Sequence, residues 1–126
     1  MNSNAPPFKI DLPSGLDRAL MLILSRHIGR AAAISRVQLC TALKEYRVTE
    51  RQLREQIKLL RRSGRLIGSA PGVSGGYYLI VSLDEFNDFM QTEYLAKVKD
   101  MSETARAMTR TAQRQWGAES VQMTLF

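Results

Sequence analysis

Two four-residue words, fourteen positions apart, constrain this chain more than anything else in it. Ser35-Arg36-Val37-Gln38 and Thr49-Glu50-Arg51-Gln52 each place a hydroxyl residue three positions ahead of a glutamine. At that spacing the hydroxyl accepts from a free N–H of the first helical turn, and the glutamine reaches back to the hydroxyl residue's own N–H. A helix therefore begins at each word. The one opened at Ser35 is predicted to run to about Tyr46, burying Leu39, Cys40 and Leu43. Only Arg47 and Val48 separate Tyr46 from Thr49, and the helix opened at Thr49 is predicted to end at Gly64. Two helices joined by so short a turn form a helix-turn-helix.

The flanking segments extend this pattern. Residues 1–13 hold three prolines and no periodic pattern, which predicts an extended arm. Ser14, Gly15, Leu16 and Asp17 then start a first helix. Leu16, Leu20, Ile23, Leu24 and Ile28 follow at helical spacing, with Gly29 as the stop. Beyond Gly64 the period changes. Leu66, Ile67, Gly68 and Ser69 read as a short strand, 70–76 as a turn rich in Gly, Pro and Ser, and 77–81 as an aromatic and β-branched strand. Ser82-Leu83-Asp84-Glu85 is a third capping box, with Asp84, Glu85 and Asp88 suited to the helix dipole. The helix it opens is predicted to reach about Trp116, stopped by Gly117 and followed by a flexible tail over 117–126. The fold class is mainly α (α+β). It comprises an arm (1–13), a domain of three helices and a two-stranded hairpin (14–82), a long C-terminal helix (83–116) and a tail.

Charge is distributed unevenly over this plan. The chain carries a formal +6, and residues 47–65 alone contribute +5, from seven cations against Glu50 and Glu55. On a helical wheel Leu53, Ile57 and Leu60 share a narrow sector, with Arg51, Arg54, Lys58, Arg61 and Arg62 roughly opposite. A basic second helix in a helix-turn-helix suits the major groove of duplex DNA. The arginine fork can take guanine O6 and N7 together, or a phosphate. Arg51, Arg54 and Glu55 are expected near bases, with Gln52 or Gln56 as adenine readers. Lys58, Arg61 and Arg62 are expected near phosphates, and Arg47 is expected in the same DNA-binding set. The plainer alternative is a solvated face laced by ion pairs such as Glu50–Arg54 and Arg51–Glu55.

Across residues 16–82 the chain resembles the winged-helix superfamily of DNA-binding proteins. The likeness rests on the helix-turn-helix, on Leu59-Leu60-Arg61-Arg62-Ser63-Gly64-Arg65-Leu66-Ile67 leading into the hairpin, and on Gly75-Gly76-Tyr77-Tyr78-Leu79 closing it. The layout is also similar to small phage- or prophage-encoded winged-helix proteins. The resemblance implies duplex DNA as partner, α-helical major-groove contact and no enzymatic activity. One departure matters: many such wings carry Arg or Lys at the tip, whereas 69–76 has no charge. Backbone N–H groups of Gly72, Gly75 and Gly76 are left as weak phosphate donors. Winged helices also serve as protein-binding modules, so an interaction adaptor stands as the alternative.

Beyond the hairpin, Tyr94, Val98, Met101, Ala105, Met108 and Ala112 are spaced 4, 3, 4, 3, 4. That is a heptad seam of about two and a half repeats, and it predicts pairing into a homodimer. The alternative is that the same face folds back on its own domain. The terminus, Gln122-Met123-Thr124-Leu125-Phe126, is similar to the short peptide that bacterial sliding clamps bind. That likeness implies Gln122 at a pocket rim and Leu125 and Phe126 within it.

Several function classes fall away. No apolar run approaches the ~20 residues of a membrane span, the longest being residues 19–24, and no secretory leader is expected at the N-terminus. A single cysteine, Cys40, excludes an internal disulfide and suggests a reducing, cytoplasmic setting. One Cys and one His, His27, cannot furnish a Cys/His zinc site, and neither metal nor cofactor is expected. Gly72-Val73-Ser74-Gly75-Gly76 formally matches G-x-S-x-G. That motif needs a strand-to-helix turn and triad partners, and here it joins two strands. No P-loop occurs, and no small-molecule substrate suggests itself. Cys40 reads as an inert core thiol and His27 as a surface or capping residue.

Overall fold

Leucines at helical spacing and two closed capping boxes build the first part of the molecule. The computed structural model describes residues 10–72 and 75–121, which fall into two compact units, Met1–Phe86 and Asn87–Phe126. The chain is mainly helical, with one two-stranded antiparallel sheet and a long C-terminal helix.

Helix α1 (Leu16–Leu24) starts after Gly15, whose φ of 82° suits a residue without a Cβ, and it buries Leu16, Leu20 and Leu24 completely. It stops one turn before the expected Ile28. His27 O accepts from Leu79 N and Gly29 N donates to Leu79 O, both at 2.9 Å, so residues 27–29 lie as a parallel bridge beside a strand. The backbone groups that another helical turn would use are satisfied across the fold, and Ile28 is left half-exposed.

Both capping boxes are closed. Ser35 Oγ accepts from Gln38 N at 3.1 Å and Gln38 Oε1 from Ser35 N at 3.3 Å. The Thr49–Gln52 pair repeats this at 3.1 and 2.9 Å. Helix α2 (Arg36–Ala42) is shorter than expected. A 3-10 turn, Lys44–Tyr46, follows, and Arg47 then takes the left-handed conformation, φ 53° and ψ 42°. Helix α3 (Glu50–Arg62) ends at Ser63, with Gly64 at φ 104°. Leu39 and Leu43 are buried as expected, but Cys40 is only half-buried.

Strands β1 (Ile67–Ala70) and β2 (Gly76–Leu79) pair antiparallel from Ile67↔Leu79 to Ala70↔Gly76. The first lies one residue later than its sequence suggests, and the second stops before Val81, which is exposed. Ile34 adds an isolated antiparallel bridge to Tyr77, with N–H···O bonds of 2.9 Å in both directions. Gly76 permits this approach, because a Cβ there would collide with the Ile34 carbonyl. The core joins the α1 leucines to Leu39, Leu43, Leu53, Ile57, Ile67 and Tyr77. Each fully buried leucine contributes about 1.5–3 kcal/mol.

From Leu83 to Trp116 the chain stays helical, but in three segments: α4 (Leu83–Phe89), a π-helical stretch (Met90–Leu95) and α5 (Ala96–Trp116). The third capping box is half made. Ser82 Oγ accepts from Glu85 N at 3.1 Å, while Glu85 Oε2 accepts from Arg30 N at 3.1 Å. The π stretch coincides with Thr92, whose hydroxyl donates back to Asp88 O at 2.9 Å, a bond that competes with the helical ladder. Its longer repeat brings residues five apart onto one side, and Phe89 and Tyr94 meet edge to face, ring centres 5.6 Å apart. Ser102 leaves α5 unbroken. Among the described residues no helix is long and apolar enough to cross a membrane.

Candidate nucleic-acid interface

Helix α3 presents two unlike sides. Leu53, Gln56, Ile57 and Leu60 are buried. Arg51, Arg54, Lys58 and Arg62 are exposed, and so is Arg47 in the turn before the helix. Leu53, Ile57 and Leu60 set this division, since burying them against α1 and α2 leaves the cations no direction but outward.

Four of the polar residues singled out by sequence have structural employment. Gln56 is buried at 7% exposure, so it is not available as a base reader. Gln52 closes the capping box and also donates from Nε2 to Asp11 O at 3.1 Å, tying the N-terminal segment to the start of α3. Arg61 is half-buried; its Nε donates to Ile67 O at 2.8 Å and its terminal nitrogen to Ser69 Oγ at 3.4 Å. It pins β1 to α3 instead of extending to a ligand. Glu55 pairs with Lys58 at 3.3 Å. The Glu50–Arg54 and Arg51–Glu55 pairs that the spacing permits are not formed among the described residues.

One cation escaped sequence reasoning. Arg36, in the first turn of α2, is exposed, and together with Arg61 and Arg54 it acts electrostatically on Tyr77. Burial raises the Tyr77 phenol above its ordinary value, and the three guanidiniums oppose that rise. Arg36 on α2 and Arg54 on α3 thus both lie within electrostatic reach of Tyr77. The signal was present in the sequence: a cation in a helix's first turn opposes the dipole, so Arg36 and Arg51 each sit where helix stability alone would not put them.

The hairpin adds little to this region. Gly75 N donates to Gly72 O at 3.1 Å, so one of the expected wing donors is spent within the turn. Val73 and Ser74, within the G-x-S-x-G match, lie outside the described residues, as do Gln122, Leu125 and Phe126 of the clamp-like terminus. The flanking β1 and β2 join strand to strand, not strand to helix.

His27 Nδ1 donates to Ala32 O at 2.8 Å, which gives the histidine a backbone-bracing role. Burial, and secondarily the charge of Glu50, raise the Cys40 thiol. It stays protonated at neutral pH.

Five cations are exposed alongside the paired Lys58: Arg36 on α2, Arg47 in the turn, and Arg51, Arg54 and Arg62 on α3, both helices being held by closed caps. Cations so placed are chemically suited to a polyanion, and planar guanidinium forks to base edges. The chain matches no family model, no curated protein and no solved structure.

Proposed function

We propose that this chain binds duplex DNA as a winged-helix homodimer, with α3 laid in the major groove. The observation that carries this is the division of α3: a buried apolar side locked to the core, and an outward side of Arg51, Arg54, Lys58 and Arg62. The N-terminal half of such a helix points into the groove, so Arg51 and Arg54 read base edges, with Glu55 beside them. Arg36, Arg47, Lys58 and Arg62 take phosphates, while Gln52 and Arg61 hold the helix in place. Pairing through α5 gives a two-fold molecule, whose half-sites are expected about one or two DNA turns apart. The role is that of a transcriptional regulator or a replication or recombination accessory factor. The clamp-like terminus favours the second.

A second reading draws support from the described hairpin residues, which carry no charge, and from the exposed apolar side of α5. In it the same fold is an adaptor that works through its long helix and tail.

Fluorescence anisotropy against duplex DNA over a range of salt separates the two. DNA binding loses affinity steeply with salt, at about −0.9 in log–log slope per phosphate contacted. The triple variant Arg51→Ala/Arg54→Ala/Lys58→Ala then weakens binding and flattens the slope. Absence of binding at low salt, or binding indifferent to the variant, favours the adaptor.

A further inference from the structure

The exposed seam that begins at Tyr94, in the π-helical stretch, and continues along α5 carries information about how it is covered. Val98, Met101 and Met108 are about half to two-thirds exposed, and Tyr94 is 40% exposed. Near the C-terminal end a shallow groove of about 400 Å³ is lined by Ala107, Met108, Thr111, Ala112, Gln115 and Trp116. Large and small residues are not mixed evenly along the seam. Tyr94, Val98 and Met101 occupy its first half, whereas the second half alternates Ala105, Met108 and Ala112.

We propose that a second copy of this chain covers the seam with α5 running antiparallel, about a two-fold axis at the level of Glu103. This rests on the self-association proposed above and adds its orientation. Reversing one helix about residue 103 sets Tyr94 against Ala112 of the second copy, Val98 against Met108 and Met101 against Ala105. Two of these three layers join a bulky residue to an alanine, and none joins bulk to bulk at the ends. Tyr94 of the second copy then enters the groove over Ala112, between Met108 and Trp116. A parallel pair would instead stack Tyr94 on Tyr94 and Ala112 on Ala112. The required helix separation would then swing between wide and narrow layers, with strain at one and voids at the other.

Charge points the same way. Residues 90–103 hold Glu93, Asp100 and Glu103 against Lys97 and Lys99, a net −1. Residues 104–116 hold Arg106, Arg110 and Arg114 without an acid, a net +3. Arg106, Arg110 and Arg114 fall on the outer side of the heptad and not beside the seam, so in a parallel pair the two +3 segments add only a weak, screened repulsion. Antiparallel helices lay the +3 segment beside the −1 segment and oppose the two helix dipoles favourably, while Glu93 keeps its own pair with Lys97 at 3.7 Å. At the axis, Ser102 and Thr104 flank the seam with small side chains that allow close approach.

Sedimentation and cysteine cross-linking of the full chain, with Cys40→Ser as background, test this. Mixed Tyr94→Cys and Ala112→Cys proteins should form the mixed disulfide at least ten times faster than Ala112→Cys forms one with itself. In the antiparallel pair the two 112 positions lie about 27 Å apart along the axis, at 1.5 Å per residue. The Val98→Cys and Met108→Cys mixture repeats the test should the Tyr94 variant fold poorly. Rapid self-linking of Ala112→Cys overturns the orientation and leaves dimerisation standing. A monomer at every concentration overturns both, while the assignment of α3 to DNA stands or falls on the anisotropy alone.

Discussion

Arg47→Gly separates what the turn does for the fold from what it does for a ligand. Arg47 sits at φ 53° and ψ 42°, the only described non-glycine residue with positive φ. For an L-residue that conformation costs roughly 1–2 kcal/mol, because Cβ crowds the following carbonyl. Glycine removes the cost but loses more chain entropy on folding, worth about 0.5–1 kcal/mol. The backbone bond from Arg47 N to Lys44 O, 3.1 Å, survives the change, and the exposed side chain gives up little packing. The balance is a gain of about 0–1.5 kcal/mol. With a urea m-value near 2 kcal/mol/M, this moves the unfolding midpoint up by as much as about 0.75 M. The same variant removes one phosphate-facing cation, so its DNA salt slope should become shallower by about 0.9. Urea unfolding by circular dichroism and salt-dependent anisotropy read the two effects on one protein. A variant less stable than the parent would refute the strain argument. An unchanged slope would refute a phosphate role for Arg47.

Other substitutions report on separate joints of the molecule. Arg61→Ala should cost about 1.5–3 kcal/mol in urea unfolding, since it cuts a charged donor from the β1 carbonyl; Arg61→Lys should not restore it, and Arg62→Ala, next door and exposed, should leave stability within about 0.5 kcal/mol. Gly76→Ala should destabilise by at least about 1–3 kcal/mol by driving a Cβ into the Ile34 carbonyl, visible as lost amide protection at Ile34 and Tyr77. Cys40 should alkylate slowly at neutral pH, with its rate rising only above the ordinary thiol range. The folded thiol's pKa is raised, so its contribution to stability is full below the unfolded value and declines as pH rises through the folded one. Rapid labelling at pH 7 would show that the thiol is not desolvated.

The parts of this structure legible in the sequence are those that local chemistry decides. Ser35 with Gln38 and Thr49 with Gln52 make the bonds that their spacing predicts, because both partners lie within one turn. The apolar sector of α3 faces inward for the same reason: 3.6 residues per turn is a local rule. What the sequence hides is decided at a distance. Ile28 continues the period of α1, yet Leu79, fifty-one residues later, takes its neighbours' backbone groups and ends the helix early. Arg61 looks like its neighbour Arg62 until Ile67 O claims it. Gln52 and Gln56 resemble base readers in one dimension, but in three the first ties down Asp11 and the second is buried. The π stretch at Met90–Leu95 leaves no trace in hydrophobic spacing beyond the fivefold step from Phe89 to Tyr94.

The most direct test of the central claim is a map of which backbone amides respond when duplex DNA is titrated into isotope-labelled protein. Binding through α3 should concentrate shifts at Arg36, at Arg47 and along the outward side of α3 from Arg51 to Arg62, with α5 almost silent. Shifts gathered on α5 while α3 stays unmoved would contradict it.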